Sequence, residues 1–166
     1  MNILQNKKAI YTHLAALLLM ILAAVMYCSP VLKGEILAQD DISVFKAESK
    51  ETRDYREANG EEPLWTSRVF SGMTTFNIST VFKGDVMSFV DGIRQAFPQP
   101  VNVIIVTMLG FYLLLLAFGV NPWLALVGAI GYGLSSNLLV SLLAGHNTKV
   151  LTIGYMAIGI AGLHQL

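Results

Sequence analysis

The sequence contains uninterrupted apolar segments long enough to cross a lipid bilayer. Ile10 to Cys28 is a run of 19 residues without a formally charged side chain, apart from the titratable His13. A helix rises about 1.5 Å per residue, so such a run spans the hydrocarbon core of a bilayer, which is about 30 Å thick. Overall, 54% of the residues are hydrophobic and 13% are charged, which is more apolar than a typical soluble domain. The sequence therefore predicts a mostly α-helical integral membrane protein.

Three further apolar segments extend this pattern. Residues 101–120 form a second uncharged run, and residues 121–144 combine a tight turn with a third run that is rich in glycine and serine. Small residues at this density favour close helix packing within a bundle. A polar hinge, residues 145–149, precedes residues 150–166, where the apolar run from Val150 to Leu163 is 14 residues long and so shorter than the roughly 17–25 residues of a complete span. We therefore expect a bundle of about four transmembrane helices, the last incomplete, from a longer parent protein.

The charges predict the orientation of this bundle. Lys7 and Lys8 precede the first span, residues 10–28, which favours a cytoplasmic N-terminal tail over residues 1–9. Residues 29–100 would then form a large extracytoplasmic loop, which carries all 11 acidic and 8 of the 11 basic residues. The charge-bias rule does not extend to loops longer than about 60 residues. No basic stripe is present to neutralise phosphates, so a nucleic-acid partner is not expected.

Two segments of this loop have helical patterns. Ile42 to Ala58 is highly charged, with opposite charges four residues apart, and predicts a solvated helix that ends at Asn59-Gly60. Phe82 to Phe97 has apolar residues at steps of three and four, which predicts an amphipathic helix that lies along the membrane or packs on other extracytoplasmic parts. Trp65 is expected to anchor the loop at the interface.

The candidate catalytic residues are the adjacent carboxylates Asp40 and Asp41. They could serve as helix N-cap and first-turn partners of the helix dipole. Alternatively, one of them could act as a general base beside the membrane, or as a ligand of a divalent metal, which the sequence does not require. The hinge lies on the same outer side if the spans alternate. There, His146 and Lys149 could bind a lipid-linked phosphate, or form an ordinary interfacial turn with a snorkelling lysine.

Three segments resemble the N-terminal part of the YfhO family of bacterial multi-spanning membrane proteins. They are SPVLKGEILAQDDISVFKAESKETRDYREANGEEPLWTSRVFSGM from Ser29, FGVNPWLALVGAIGYGLSS from Phe118 and AGHNTK from Ala144. The resemblance covers nearly the whole chain and is most specific in EEPLWT and AGHNTK. It implies a location in the bacterial cytoplasmic (inner) membrane of the cell envelope, and a parent protein that supplies the remaining transmembrane helices.

The resemblance also implies a function, because YfhO-type proteins look like GT-C glycosyltransferases. Such enzymes move a sugar from a polyprenyl-phosphate donor to an extracytoplasmic acceptor and carry a catalytic acid soon after the first span. The resemblance makes Asp40 the catalytic acid or base with Asp41 as its partner, and places His146 and Lys149 near the donor phosphate. We expect the present chain to lack activity without its parent. The alternatives are a transporter or flippase, and a non-catalytic membrane assembly protein.

Overall fold

A computed structural model of the chain describes residues 7–81 and 87–166, with the side chain of Lys8 excluded. The protein is mostly helical and divides into two compact units. We call Met1–Ala38 with Asp91–Leu166 the helical unit, and Gln39–Val90 the loop unit.

The helical unit contains six of the described α-helices, and the loop unit contains two α-helices, a two-stranded sheet and a short 3-10 helix (Thr75–Asn77). In the helical unit they are α1 (Lys7–Tyr27), α2 (Ser29–Leu32), α6 (Val101–Ala117), α7 (Pro122–Gly133), α8 (Ser136–Ala144) and α9 (Asn147–His164). In the loop unit they are α3 (Asp40–Glu48), α4 (Lys50–Asn59), β1 (Trp65–Thr66) and β2 (Met73–Thr74). Helix α5 (Ser88–Arg94) overlaps the chain boundary between the units.

Helix α1 has the length and composition of a membrane span. Its segment Ala9–Tyr27 is 19 residues long, and only 17% of its most apolar stretch of 18 residues is buried. Apolar side chains at a spacing of four residues, Leu14, Leu18, Leu22 and Met26, are exposed along it. N-terminal signal sequences share this length and composition. Across the described residues, α1 is long and apolar enough to cross a bilayer by itself, and α7 with α8 is long and apolar enough as a bent pair.

The other predicted spans differ in detail from the sequence expectation. Helix α6 has 17 residues and ends at Ala117, because Gly119 takes a left-handed backbone (φ 77°). The Asn121 side chain then caps α7 by accepting a hydrogen bond of 3.0 Å from the Trp123 N–H. The predicted third span is two helices bent by 40°, since Ser135 has an extended backbone between them. Helix α9 begins at Asn147, so the predicted hinge is shorter than residues 145–149.

The helical unit is organised around α6, which packs against α9, α7 and α1. Its closest approach is to α9, where a Cβ on Gly110 would overlap the carbonyl oxygen of Gly154. A Cβ on Gly154 would lie 3.2 Å from Thr107 Cα. Against α7, the buried Met108 occupies the space that a side chain at Gly133 would need. Small residues thus allow close helix contact, as the sequence predicted for the third run.

A polar contact joins α1 to α6 within this apolar unit. His13 Nδ1 lies 2.8 Å from the Tyr112 hydroxyl, and the two rings meet edge to face. Hydrogen bonds between helices fix their register where apolar packing alone discriminates little. The titratable residue of the first apolar run is therefore satisfied inside the protein.

The loop unit is held together by polar contacts. Arg56 on α4 binds both carboxylate oxygens of Glu62, at 2.5 and 2.9 Å, and donates to the Ser79 carbonyl at 3.1 Å. Strands β1 and β2 pair antiparallel, with Trp65 opposite Thr74 and Thr66 opposite Met73. These bonds attach the chain that follows α4 to the side of that helix.

The predicted loop helices are found in modified form. The charged segment is two helices, with Ser49 as the residue between α3 and α4, and it ends at Gly60 in the left-handed conformation, as expected. Of the predicted amphipathic helix, residues 82–86 lie outside the described residues. The described remainder contains α5, where Phe89 and Ile93 are exposed.

We predict that Gly110→Ala destabilises the helical unit by about 1–3 kcal/mol, because the added methyl meets the backbone of α9, which cannot rotate away. Thermal unfolding in detergent, followed by circular dichroism, measures the loss. The matched control is Gly159→Ala on α9, where a Cβ has nothing within 4 Å, and a gain of up to about 1 kcal/mol is expected. Equal stability of the two variants would show that α6 and α9 do not approach this closely.

Candidate functional site

The two candidate carboxylates occupy the start of α3. Gln39 takes the N-cap position with an extended backbone, and Asp40 and Asp41 are the first two helical residues. Acidic side chains in a first turn interact favourably with the helix dipole. The two aspartates therefore lie in the first turn of the helix, where one of the two interpretations put them, but the N-cap residue is Gln39 and neither aspartate. Both carboxylates are exposed, so they are accessible to a substrate.

The second candidate pair lies at the junction of α8 and α9. Gly145 has a left-handed backbone (φ 106°) and ends α8, and α9 begins two residues later at Asn147. His146 is the N-cap residue of α9, and Lys149 is exposed in its first turn. The N–H groups at a helix start favour anions, and a lysine adds a full positive charge there. This end of α9 therefore has the charge that a phosphate group requires.

The two pairs belong to different units of the chain. Asp40 and Asp41 lie in the loop unit, whereas His146 and Lys149 lie in the helical unit. The expectation that both pairs serve one outer site stays a prediction.

An apolar cavity of about 360 Å³ lies in the helical unit beside the C-terminal end of α1. Its walls come from the end of α1, from the chain that follows it, from the start of α6 and from α8. The lining residues of the first two parts are Tyr27, Cys28, Pro30, Val31, Glu35, Ile36 and Leu37. Among the described residues that line it, Glu35 is the one with a formal charge. The volume falls within the range of about 300–1,000 Å³ that small-molecule sites occupy.

Sequence reasoning missed this cavity and its carboxylate. Glu35 is the first acidic residue of the chain and is followed by the apolar pair Ile36-Leu37, which was the available signal. The lining residues from Ile104 to Leu142 are far from Glu35 in the sequence and come next to it only when the chain folds. No local pattern encodes such a combination.

A third polar feature lies in the loop unit at Glu51. Its carboxylate accepts a hydrogen bond of 2.5 Å from the Thr66 hydroxyl, which links α4 to β1. This bond holds the pKa of Glu51 below its ordinary value of 4.5, against desolvation, with further help from the Ser67 N–H and from Arg68. Glu51 and Arg68 also line a shallow polar depression of about 160 Å³. The ionised form of Glu51 thus stabilises the strand on the helix.

No group of three or more His, Cys, Asp or Glu side chains in residues 7–81 and 87–166 is arranged to hold a metal ion. Comparisons of the chain with models of protein families, with curated proteins and with solved structures found no match.

We predict that the β1–β2 hairpin loses stability as the pH falls below about 4.5. A lowered folded-state pKa means that the stabilisation from Glu51 is fully present above its unfolded value of 4.5 and is lost as the pH falls through the folded value. Urea unfolding followed by Trp65 fluorescence in a Trp123→Phe background, at pH 6.5 and at lower pH, measures the effect.

Glu51→Gln should lower the urea midpoint at pH 6.5 and reduce its decline with acid. Glu61→Gln is the matched control, because Glu61 is an exposed carboxylate of the same unit. The assignment fails if Glu51→Gln retains the full pH dependence.

Proposed function

We propose that the chain is part of a multi-spanning protein of the bacterial cytoplasmic membrane that transfers a sugar in the GT-C manner. The donor would be a polyprenyl-phosphate sugar, and the acceptor would lie on the extracytoplasmic side. The span-length helix α1, the bent pair α7 and α8, and the shorter apolar helix α6 support the multi-span part of this proposal. The resemblance of Ser29–Met73 and Ala144–Lys149 to YfhO proteins supports the chemistry.

The observation that carries the proposal is the apolar cavity at the end of α1. A polyprenyl-linked donor needs an apolar surface for its isoprenoid chain and a polar boundary for its headgroup. The cavity supplies the first through Val31, Ile104 and Leu139, and Glu35 is its polar group, which can accept hydrogen bonds from sugar hydroxyls while the phosphate lies elsewhere. It lies where the proposed first span leaves the membrane, which is the depth at which such a donor changes from apolar to polar.

The proposed transfer follows an inverting displacement. Asp40 accepts the proton of the acceptor hydroxyl while the hydroxyl oxygen attacks the anomeric carbon of the sugar. The bond from that carbon to the phosphate oxygen breaks, and polyprenyl phosphate leaves with the electron pair. Asp41 is the partner carboxylate. Lys149 binds the phosphate as a point charge and His146 donates a hydrogen bond to it.

The bend between α7 and α8 favours a second candidate, a transporter or lipid flippase. Discontinuous helices commonly form the substrate sites of transporters near the bilayer midplane. Asn137, in the first turn of α8, is the polar candidate for such a site. A transporter or flippase gives Asp40 and Asp41 no chemical role, and a non-catalytic assembly protein gives them none either. Substitution of the two aspartates therefore separates the transferase from both alternatives.

We predict that Asp40→Asn, introduced into the protein at its own gene locus, slows turnover of a radiolabelled polyprenyl-phosphate sugar about 10²–10⁴-fold. The reason is that the amide cannot accept the acceptor proton. Asp41→Asn, made separately, should reduce turnover less, because Asp41 is the partner carboxylate. Asp54→Asn on α4 is the matched control, since it removes an exposed carboxylate of the same unit. Normal turnover in both Asp40→Asn and Asp41→Asn, at normal protein abundance, would favour the transporter or the assembly protein.

We predict that Val140→Trp raises the KM for the lipid-linked donor, because Val140 lines the cavity and a larger side chain occupies the space of the isoprenoid chain. Val140 is 64% exposed, so the change leaves the buried core intact. Val127→Trp on α7 is the control, since Val127 is 66% exposed and does not line the cavity. Unchanged KM in Val140→Trp would mean that the donor chain binds elsewhere.

A further inference from the structure

The loop unit exposes large apolar side chains at its β1–β2 hairpin. Leu64, Trp65, Phe70 and Phe76 lie in and beside the hairpin and are each more than half exposed. We call these four residues the hairpin rim. The backbone N–H of Thr75 bonds the Leu64 carbonyl at 3.2 Å, so Leu64 and Phe76 lie at the open end of the hairpin, whereas Phe70 lies in the turn.

Polar side chains are buried in this unit while aromatic ones are exposed. Ser49, Thr52, Thr66 and Thr75 are almost completely buried, whereas Val69 is the one buried apolar side chain among the unit's described residues. Thr66 bonds Glu51 on α4, and successive strand residues point to opposite faces, so Trp65 lies on the hairpin face away from α4. Trp65 therefore does not pack on α4, and the four rim side chains stay exposed within the unit.

Phe70 is the least expected member of the rim. Its backbone is left-handed (φ 50°), as is that of Ser71 (φ 63°), and its side chain is 88% exposed. Bulky side chains rarely adopt this conformation. Gly72 differs, because its φ of 126° suits glycine and a Cβ there would lie 2.7 Å from the Trp65 ring. An exposed aromatic residue on a strained backbone points to a contact outside the folded chain.

We propose that the hairpin rim inserts into the interfacial layer of the bilayer that α1 enters, so that the loop unit docks on a lipid surface. This inference rests on the membrane placement in the proposed function and not on sugar transfer. We infer a bilayer as the partner because α1 is a span-length helix that exposes apolar side chains, and because the chain after α1 leads into the loop unit. A tethered surface is present at high effective concentration.

The composition of the rim also suits a lipid interface. Tryptophan is enriched at membrane–water boundaries, and phenylalanine and leucine are common on the apolar faces of segments that lie in the interface. Arg68 lies in the turn beside Phe70, is exposed, and can attract anionic headgroups, although Glu51 nearby offsets part of its charge. The opposite side of the unit, α3 and α4, carries mixed charges that favour water.

The test is fluorescence quenching of the two tryptophans in vesicles of phosphatidylcholine and phosphatidylglycerol. Trp123→Phe leaves Trp65 as the reporter, and Trp65→Phe leaves Trp123 at the start of α7 as the reporter. Lipids brominated on their acyl chains near the headgroup should quench Trp65 more strongly than lipids brominated deeper, and iodide should quench it weakly.

Phe70→Asn in the Trp123→Phe background should reduce the lipid quenching of Trp65 at least twofold, because asparagine accepts the left-handed backbone but not the apolar layer. Phe45→Asn is the matched control, since Phe45 is an exposed phenylalanine on α3, and it should leave the quenching unchanged. Unfolding of both variants in urea, followed by Trp65 emission, verifies that the hairpin is intact.

Two results for Trp65 would overturn the inference. Quenching by iodide but not by brominated lipid would show that the rim faces water. Protection from both quenchers would show that protein covers it, as in a complex with a partner or a second copy. Trp123 then separates the two premises: if lipid quenches Trp123 but not Trp65, membrane placement stands and rim docking fails, whereas quenching of neither tryptophan by lipid rejects membrane placement itself.

Discussion

The close approach of α6 and α9 at Gly110 and Gly154 is the contact on which the helical unit depends. The backbones meet where neither helix carries a side chain, so α6 can lie at the centre with α1 and α7 packed around it. If the unit lies in a membrane, as we propose, the hydrophobic effect does not select one arrangement of helices, and close packing has to do so. On a second side of α6, the Met108 side chain fills the space that Gly133 leaves empty, so a glycine again allows two helices to pack closely.

The loop unit is stabilised by a different set of forces. Its elements are joined by the Arg56–Glu62 pair, by the Glu51–Thr66 bond and by a hydrogen bond from the Thr75 hydroxyl to the Pro63 carbonyl. Such contacts select a geometry but bury little apolar area, and small units that bury little are only marginally stable. A lipid surface that covered the exposed aromatic residues would add the missing apolar contact, so docking and stability of this unit are coupled in our proposal.

The sequence predicted elements whose signals are local and missed those that depend on folding. The uncharged run from Ile10 to Cys28 located α1 to within a few residues, and Asn59-Gly60 located the end of α4, because chain composition alone sets both. The break at Ser135 was missed, since apolar residues continue on both sides of it. The first-turn position of Asp40 and Asp41 was one of two open readings, and position alone does not decide whether they act as bases. Glu35 was overlooked because its cavity joins segments about 100 residues apart.

The proposed roles of Lys149 and the first turn of α9 have a consequence for how a transferase would use them. A polyprenyl-phosphate sugar is a diester with one negative charge, whereas the departing polyprenyl phosphate gains a second as the sugar leaves. A fixed cation and the positive end of a helix dipole interact more strongly with the second state. Groups of this kind stabilise the transition state more than the bound donor, and therefore raise kcat more than they lower KM. Within the proposal, the apolar cavity supplies donor affinity and the start of α9 supplies rate, which assigns donor binding and stabilisation of the leaving phosphate to separate parts of the helical unit.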